Sequence, residues 1–200
     1  KKKLKILDFG CGEGANLNYF ISKFKYDGYG VDISQESIKM AKKKIKAHKL
    51  KLIDGKCNSD DDFFNVKFDL IISIQVLYYL NNDDLQERLR SFNKMLKPNG
   101  YVFFTMVSTK NKYFKQFSNK KKNKEGLTAI SFNKNKKYLN EYKKRHPNGD
   151  KIHYINFTKS LADLKKKFNI FKPLQIGFYD GSLNSIKDCG YHYTFFGKKK

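Results

Sequence analysis

Tryptophan is absent from this chain of 200 residues, and cysteine, arginine and alanine are scarce, with three, three and five copies. The cysteines (Cys11, Cys57, Cys189) are odd in number and scattered. They make neither a disulfide framework nor a structural zinc set, so a reducing, cytoplasmic setting is expected. No apolar stretch approaches the ~20 residues a bilayer span needs. The richest run, Phe68–Leu80, is broken by Asp69, Ser73 and Gln75. Lys1-Lys2-Lys3 is basic, but no apolar segment or small-residue cleavage site follows it, which speaks against a signal peptide. At about 100–200 residues per domain, the length predicts a single domain over 1–200.

Acid is also scarce. Nineteen Asp and Glu face 42 Lys and Arg, a net charge of +23. That invites a nucleic-acid reading, yet 39 of the positives are lysine, whereas arginine's fork is the better match to phosphate. Abundant Lys, Asn, Tyr and Phe with little Ala equally fits A/T-rich coding, and surface lysine serves solubility. Lys110 to Arg145 stands apart: twelve lysines and Arg145 against Glu125 and Glu141 give a net of +11. Tyr113, Phe114, Phe117, Phe132, Tyr138 and Tyr142 are interleaved with them.

Leu4–Phe9 reads as a short buried strand, followed by the turn Gly10-Cys11-Gly12-Glu13-Gly14 and a helix with Leu17, Phe20, Ile21 and Phe24 at helical spacing. Gly28–Asp32 is a second strand ending in an acid. Ser34 caps a helix to about His48, and Leu50–Ile53 is a third strand. Phe68–Ile74, almost continuously apolar, is a fourth strand buried on both faces. Asp83 opens a helix with Gln86 at capping-box spacing, and Tyr101–Val107 is a fifth strand after the turn Pro98-Asn99-Gly100. The alternation predicts an α/β, doubly wound, mostly parallel sheet. Residues 108–150 break the pattern as a basic insertion or cap, within which 118–125 reads as low-complexity and mobile. Thr158 caps a helix over Lys159–Phe168. Two strands, about Phe171–Tyr179 and Tyr191–Gly197, then return too quickly for a parallel crossover and pair antiparallel.

The central constellation is Asp8-Phe9-Gly10-Cys11-Gly12-Glu13-Gly14 between strand and helix, with Asp32 ending the next strand. Glycine lets a ligand approach the backbone, and the acid can accept both ribose hydroxyls of a nucleoside at the carboxyl ends of the strands. Dinucleotide sites use G-x-G-x-x-G; here Gly14 comes one residue early.

With these residues the chain resembles the class I S-adenosylmethionine-dependent methyltransferases. Leu7 to Gly14 resembles the family's first motif, Val31-Asp32 its ribose-binding acid, Phe68 to Ser73 its fourth-strand motif, and Leu96 to Tyr101 its turn into strand five. The resemblance implies seven strands in the order 3-2-1-4-5-7-6 in a three-layer α/β/α fold, with S-adenosylmethionine as cofactor. It implies that Asp8, Gly10, Cys11, Gly12 and Gly14 line the methionine end, that Asp32 takes the ribose and that Ile33 packs on adenine. Ser73, Ile74 and Gln75 would face the sulfonium. The adenine edge would fall to Cys57 and Asn58, with Lys56 standing where the family commonly has an acid and Asp60-Asp61-Asp62 able to compensate. The family also carries an N-terminal helix or two; here Lys1 stands just before the first strand.

Methyl transfer is an in-line displacement, and the enzyme must chiefly hold nucleophile and methyl at ~3–3.5 Å; a hydroxyl also needs a base. Of the four histidines, His153 is the first candidate, where the insertion rejoins the core, ahead of His192, His146 and His48. Tyr78 and Tyr79, after strand four, and Tyr19, on the first helix, are acceptor-side candidates, with core packing as the alternative for each. Ser73-Ile74-Gln75-Val76 replaces the Asp-Pro-Pro-Tyr of adenine N6 methylation, and no Pro-Cys supports cytosine C5 chemistry. Strand four ends without a carboxylate, which disfavours a magnesium-dependent type, so no metal is expected. The favoured expectation is methyl transfer to a small anionic acceptor (a phosphorylated metabolite, nucleotide sugar or glycan precursor), at oxygen rather than nitrogen, by a monomer or homodimer away from membranes. RNA methylation through the lysine and aromatic segment is the second reading, and a non-catalytic binding protein of the same fold the third.

Overall fold

A computed structural model describes residues 3–45, 49–53, 63–132, 136, 139, 140, 143, 152–180 and 190–200. The main sheet holds β1 (Lys5–Phe9), β2 (Asp27–Asp32), β3 (Lys49–Leu52), β4 (Phe68–Ser73), β5 (Leu96–Val107), β9 (Phe171–Asp180) and β10 (Tyr191–Lys199). Its order is β3-β2-β1-β4-β5-β10-β9. Three further strands intervene after β5, so β9 and β10 are the sixth and seventh of this sheet and the order is the anticipated one. β1 to β5 run parallel, while β10 runs antiparallel to both β5 and β9.

Neighbouring residues of one strand bury into opposite layers, as the unbroken apolar runs require. Ile6 and Ile72 join Leu17 of α1 (Ala15–Phe24) and Ile45, just beyond α2 (Gln35–Lys44). Leu7, Ile71 and Phe104 join Leu85, Leu89 and Phe92 of α3 (Asn82–Met95) and Leu164 of α4 (Leu161–Lys167). Carboxyl ends of β1, β2, β4 and β5 therefore share one edge.

Helix boundaries and the start of β5 differ from the sequence reading: β5 begins at Leu96, so Pro98-Asn99-Gly100 falls within its range, at the register shift against β4 between Phe68 and Leu70. The cap of α3 is Asn81, whose side chain accepts from Asp84 N; it offers the capping geometry two residues before Asp83. α4 is capped by Ser160, which accepts from Asp163 N. Thr158 is instead fully buried in extended chain, its N–H on Val107 O at 2.9 Å. α2 ends at Lys44 because Ile45 turns to φ −112° and ψ 96°.

Part of the basic segment is regular strand. β6 (Ser118–Lys122), β7 (Thr128–Ser131) and β8 (Ile152–Ile155) form a separate antiparallel sheet, so part of 118–125 is strand. Its inner face packs Phe117, Ile130, Phe132 and Ile155 with Phe157 in a second core.

Candidate active site

The chain turns at Phe9 because Gly10 and Cys11 both donate to Val31 O, at 2.8 and 2.9 Å. Gly10, Gly12 and Gly14 take φ of 76°, 51° and 82°, where L side chains are strained. A Cβ on Gly10 would also overlap Val76 and one on Gly14 would overlap Ile45, whereas one on Gly12 would meet open space. Gly12 is therefore the glycine that leaves room for a ligand. Cys11 is buried against Gly30. Burial first, then the charges of Asp8 and Asp32, push its thiol up to about 12, so it stays a thiol and packs.

Asp32 is held as a receptor: Gly12 N donates to its Oδ2 at 2.7 Å and Ser34 N to its Oδ1 at 2.8 Å. Each oxygen keeps a further lone pair for a hydroxyl. Ile33 beside it is 66% exposed, an apolar face next to the turn. Asp8 is 1% exposed, and neither carboxylate oxygen has a partner among the described residues. Burial, and then the charge of Asp32, raise it to about 7. An orphaned buried carboxylate calls for an explanation, and a cationic ligand group supplies one.

The other half of the edge follows β4. Ser73 is fully buried and its Oγ donates to Phe9 O at 3.0 Å, locking β4 to β1. Ile74 is half-buried against the layer of Leu17. Gln75 is exposed at φ 62°, held by its N–H on Thr105 Oγ1 at 2.7 Å. A non-glycine in that region is stored strain of the kind found where a ligand is met. Thr105, legible in the sequence only as a strand residue, fixes it.

Tyr78 sits on the 3-10 turn Leu77–Tyr79, its ring 4.7 Å from that of Tyr79 and 6.0 Å from that of His192. Burial first, then neighbouring phenols led by Tyr79, push its hydroxyl well above the usual tyrosine value. His192 lies opposite Val107, at the carboxyl end of β5, and stacks on Tyr179 at 5.6 Å. Its Nδ1 lies 2.8 Å from Gly190 O and donates to it, while burial lowers its pKa. The turn is pinned from behind by Asn156, whose N–H donates to Tyr78 O at 2.7 Å and whose Nδ2 donates to Leu80 O and Asn82 Oδ1.

The structure does not gather all the anticipated residues. His153 lies on the inner face of the small sheet, opposite Ile130, its ring 6.0 Å from Phe132. Alternation along β8 turns His153 into the second core, against which Tyr78 also packs. Tyr19 is half exposed on α1, its ring against Phe20 and Phe24 and beneath Lys23. Cys57, Asn58 and the Asp60–Asp62 run lie outside the described residues. Among the described residues no group of three or more His, Cys, Asp or Glu could hold a metal, and no helix is long and apolar enough to cross a membrane.

The sequence model of the family described as "Methyltransferase domain" matches residues 1–170. Among curated proteins, an uncharacterised protein of Rickettsia prowazekii is 38% identical over 50% of this chain and 42% of its own. Malonyl-[acyl-carrier protein] O-methyltransferase of Priestia megaterium is 31% identical over 52% of this chain and 37% of its own. Phosphoethanolamine N-methyltransferase of Plasmodium falciparum is 26% identical over 50% and 38%. The chain thus spans less than half the length of these relatives. Among solved structures, a SAM-dependent methyltransferase of Methanosarcina mazei matches all of this chain and 93% of its own, at TM-score 0.72 and 14% identity, which shows the shared fold.

Proposed function

The chain belongs to the methyltransferase-domain family, and from that premise we propose that it transfers a methyl group from S-adenosylmethionine to a small anionic acceptor, at oxygen rather than nitrogen. The observation that carries the cofactor is Asp8, a buried carboxylate with neither oxygen partnered among the described residues, beside the glycine turn. Asp8 would take the methionine ammonium, Gly12 would let the methionine end lie against the backbone while Gly10 sets the turn against Val76, Asp32 would take the ribose hydroxyls, and Ile33 would cover adenine. Cys11 and Gly14 shape the turn, and Cys57 and Asn58 remain the expected holders of the adenine edge. When bound, S-adenosylmethionine supplies a methyl carbon already activated by positive sulfur.

The chain's own part is alignment and proton management. Gln75, with Ser73 and Ile74 behind it, borders the reacting side, and Tyr78 and Tyr79 flank it. His192 is the group best suited to take a proton. Its Nδ1–H is committed to Gly190 O, leaving Nε2 as the acceptor, and burial keeps the ring neutral. Against that, His153 and Tyr19 are weaker catalytic candidates. The insertion would cap the acceptor, and its net charge of +11 over 110–145 favours an anion. Of the two characterised relatives above, one is named for methylation at oxygen and one for methylation at nitrogen.

Calorimetric titration with S-adenosylmethionine and S-adenosylhomocysteine tests the reading. Saturable binding by the wild type, lost in Asp32→Ala and weakened in Asp8→Asn, is the expected result. Binding of NADH in place of both would overturn it.

A further inference from the structure

A cleft of about 140 Å³ lies on the outer face of the small sheet and shares no residue with the site above. Its floor is Leu127 and Ala129, one wall is Tyr154, and its rim is Asn119, Lys121 and Lys122. The strand pattern explains how these meet. Ser118 pairs with Ile130 and Lys122 with Thr128, so three residues of β6 stand against the single Ala129 of β7. Such a bulge re-aims side chains and is favoured near functional sites. Lys120 at its centre takes φ 57°, which lysine rarely adopts. The bulge is held locally, by Lys120 N on Ser118 Oγ and Lys121 N on Asn119 Oδ1, each at 3.1 Å.

On β8, alternation sends His153 inward and Tyr154, opposite Ala129, outward. Tyr154 is 53% exposed and Ile152 45%. No carboxylate lines the cleft, and among the described residues no ion pair involves Lys120, Lys121 or Lys122. Lys122 reaches Phe157 O at 3.5 Å, and Glu125 in the following turn accepts from Asn123. The face therefore offers an exposed aromatic ring over an apolar floor with Lys121 and Lys122 lining it and Lys120 next to them in the bulge, the Lys122 ammonium resting on Phe157 O through its long 3.5 Å contact.

We propose that this face binds a single-stranded polynucleotide, with a base stacked on Tyr154 and successive phosphates on Lys120, Lys121 and Lys122. Aromatic platforms beside a cationic track are the physical basis of such binding. A duplex hides its base faces, and a lone anion has no use for the ring. The inference is independent of the methyl acceptor.

Anisotropy with a fluorescein-labelled oligouridylate tests it. Binding should weaken about 5- to 150-fold in Tyr154→Ala, with the salt slope unchanged. Tyr154→Phe, which keeps the ring, should retain it. Replacing Lys120, Lys121 and Lys122 by Gln should flatten the log–log salt slope by about two, at about 0.7 per phosphate. The same replacement at Lys39, Lys42 and Lys43 of α2 removes equal charge elsewhere and should leave the slope in place. S-adenosylhomocysteine binding should survive in every variant, which reports folding and separates this test from that of the cofactor site. Equal effects of the two lysine triples with none of Tyr154→Ala would mean diffuse attraction to a +23 chain and overturn the proposal, as would no binding or Tyr154-independent duplex binding.

Discussion

At the scale of single residues, Asp8 has the sharpest consequences. Its pKa of about 7 when folded, against about 4 for a free carboxyl, means that between those values the folded chain holds a proton the unfolded chain has lost. Stability of the cofactor-free protein therefore falls as pH rises through that window, by about 4 kcal/mol from this group. Urea midpoints compared between wild type and Asp8→Asn isolate the effect, because the variant should lack that part of the fall. Cofactor affinity should move the other way. A ligand ammonium needs the ionised carboxylate, so wild-type binding tightens from pH 6 to pH 8 and Asp8→Asn flattens the profile. His192 offers a second reading by NMR. Its ring proton should sit on Nδ1, with a pKa below the free-imidazole value, and an Nε2–H tautomer would remove it as proton acceptor.

At the scale of elements, the joint between β8, α4 and the turn after β4 decides how firmly the acceptor side is built. Lys167 of α4 is buried and donates to Asn156 Oδ1 and to Phe157 O, while Asn156 holds Tyr78 and Leu80. Burial lowers Lys167 to about 8, against the opposing charge of the Asp163 carboxylate and with the Lys122 ammonium adding to the fall. Between about pH 8 and the ordinary lysine value near 10.4, the unfolded chain holds a proton that the folded one has released. Stability should therefore rise with pH through that interval, and the rise should be smaller in Lys167→Met. Asn156→Leu strips the buried ammonium of a partner and removes the Nδ2 bonds to Leu80 O and Asn82 Oδ1, while the backbone bond to Tyr78 O remains. A cost of about 3 kcal/mol, of the order seen when a buried charge loses its partner, is expected in chemical denaturation. The sequence displayed the glycine turn and Asp32 because a strand, a turn and an acid at fixed spacing have few solutions. It also displayed the apolar runs of β1 and β4, since burial on both faces leaves no polar alternation. Thr105, Asn156 and Lys167 were not legible as site residues, because each acts on a turn dozens of positions away or lies beneath one. The small sheet was hidden because Phe117, Ile130, Phe132 and Ile155 meet only across intervening loops, and β6 carries the lysines of an edge strand.

At the scale of the whole molecule, charge outweighs every other feature. A net +23 on 200 residues faces few ion pairs among the described residues; Lys44 with Glu13 is exposed and weak, while Lys97 with Asp69 is half-buried. Mutual repulsion of lysines therefore opposes the compact state, and salt that shortens the screening length from about 10 Å at 0.1 M toward 3 Å at 1 M relieves it. The melting temperature should rise with sodium chloride over that range, and replacing Lys39, Lys42 and Lys43 by Gln should raise it at low salt only. The same field separates the two ligands. On the proposed reading S-adenosylhomocysteine would carry a zwitterionic end into the buried recess around Asp8, so its affinity should barely depend on salt. An anionic acceptor gathered by the insertion should lose affinity steadily as salt increases. Measuring both titrations across one salt series distinguishes them: parallel, flat profiles would mean that the positive charge plays no part in choosing the acceptor.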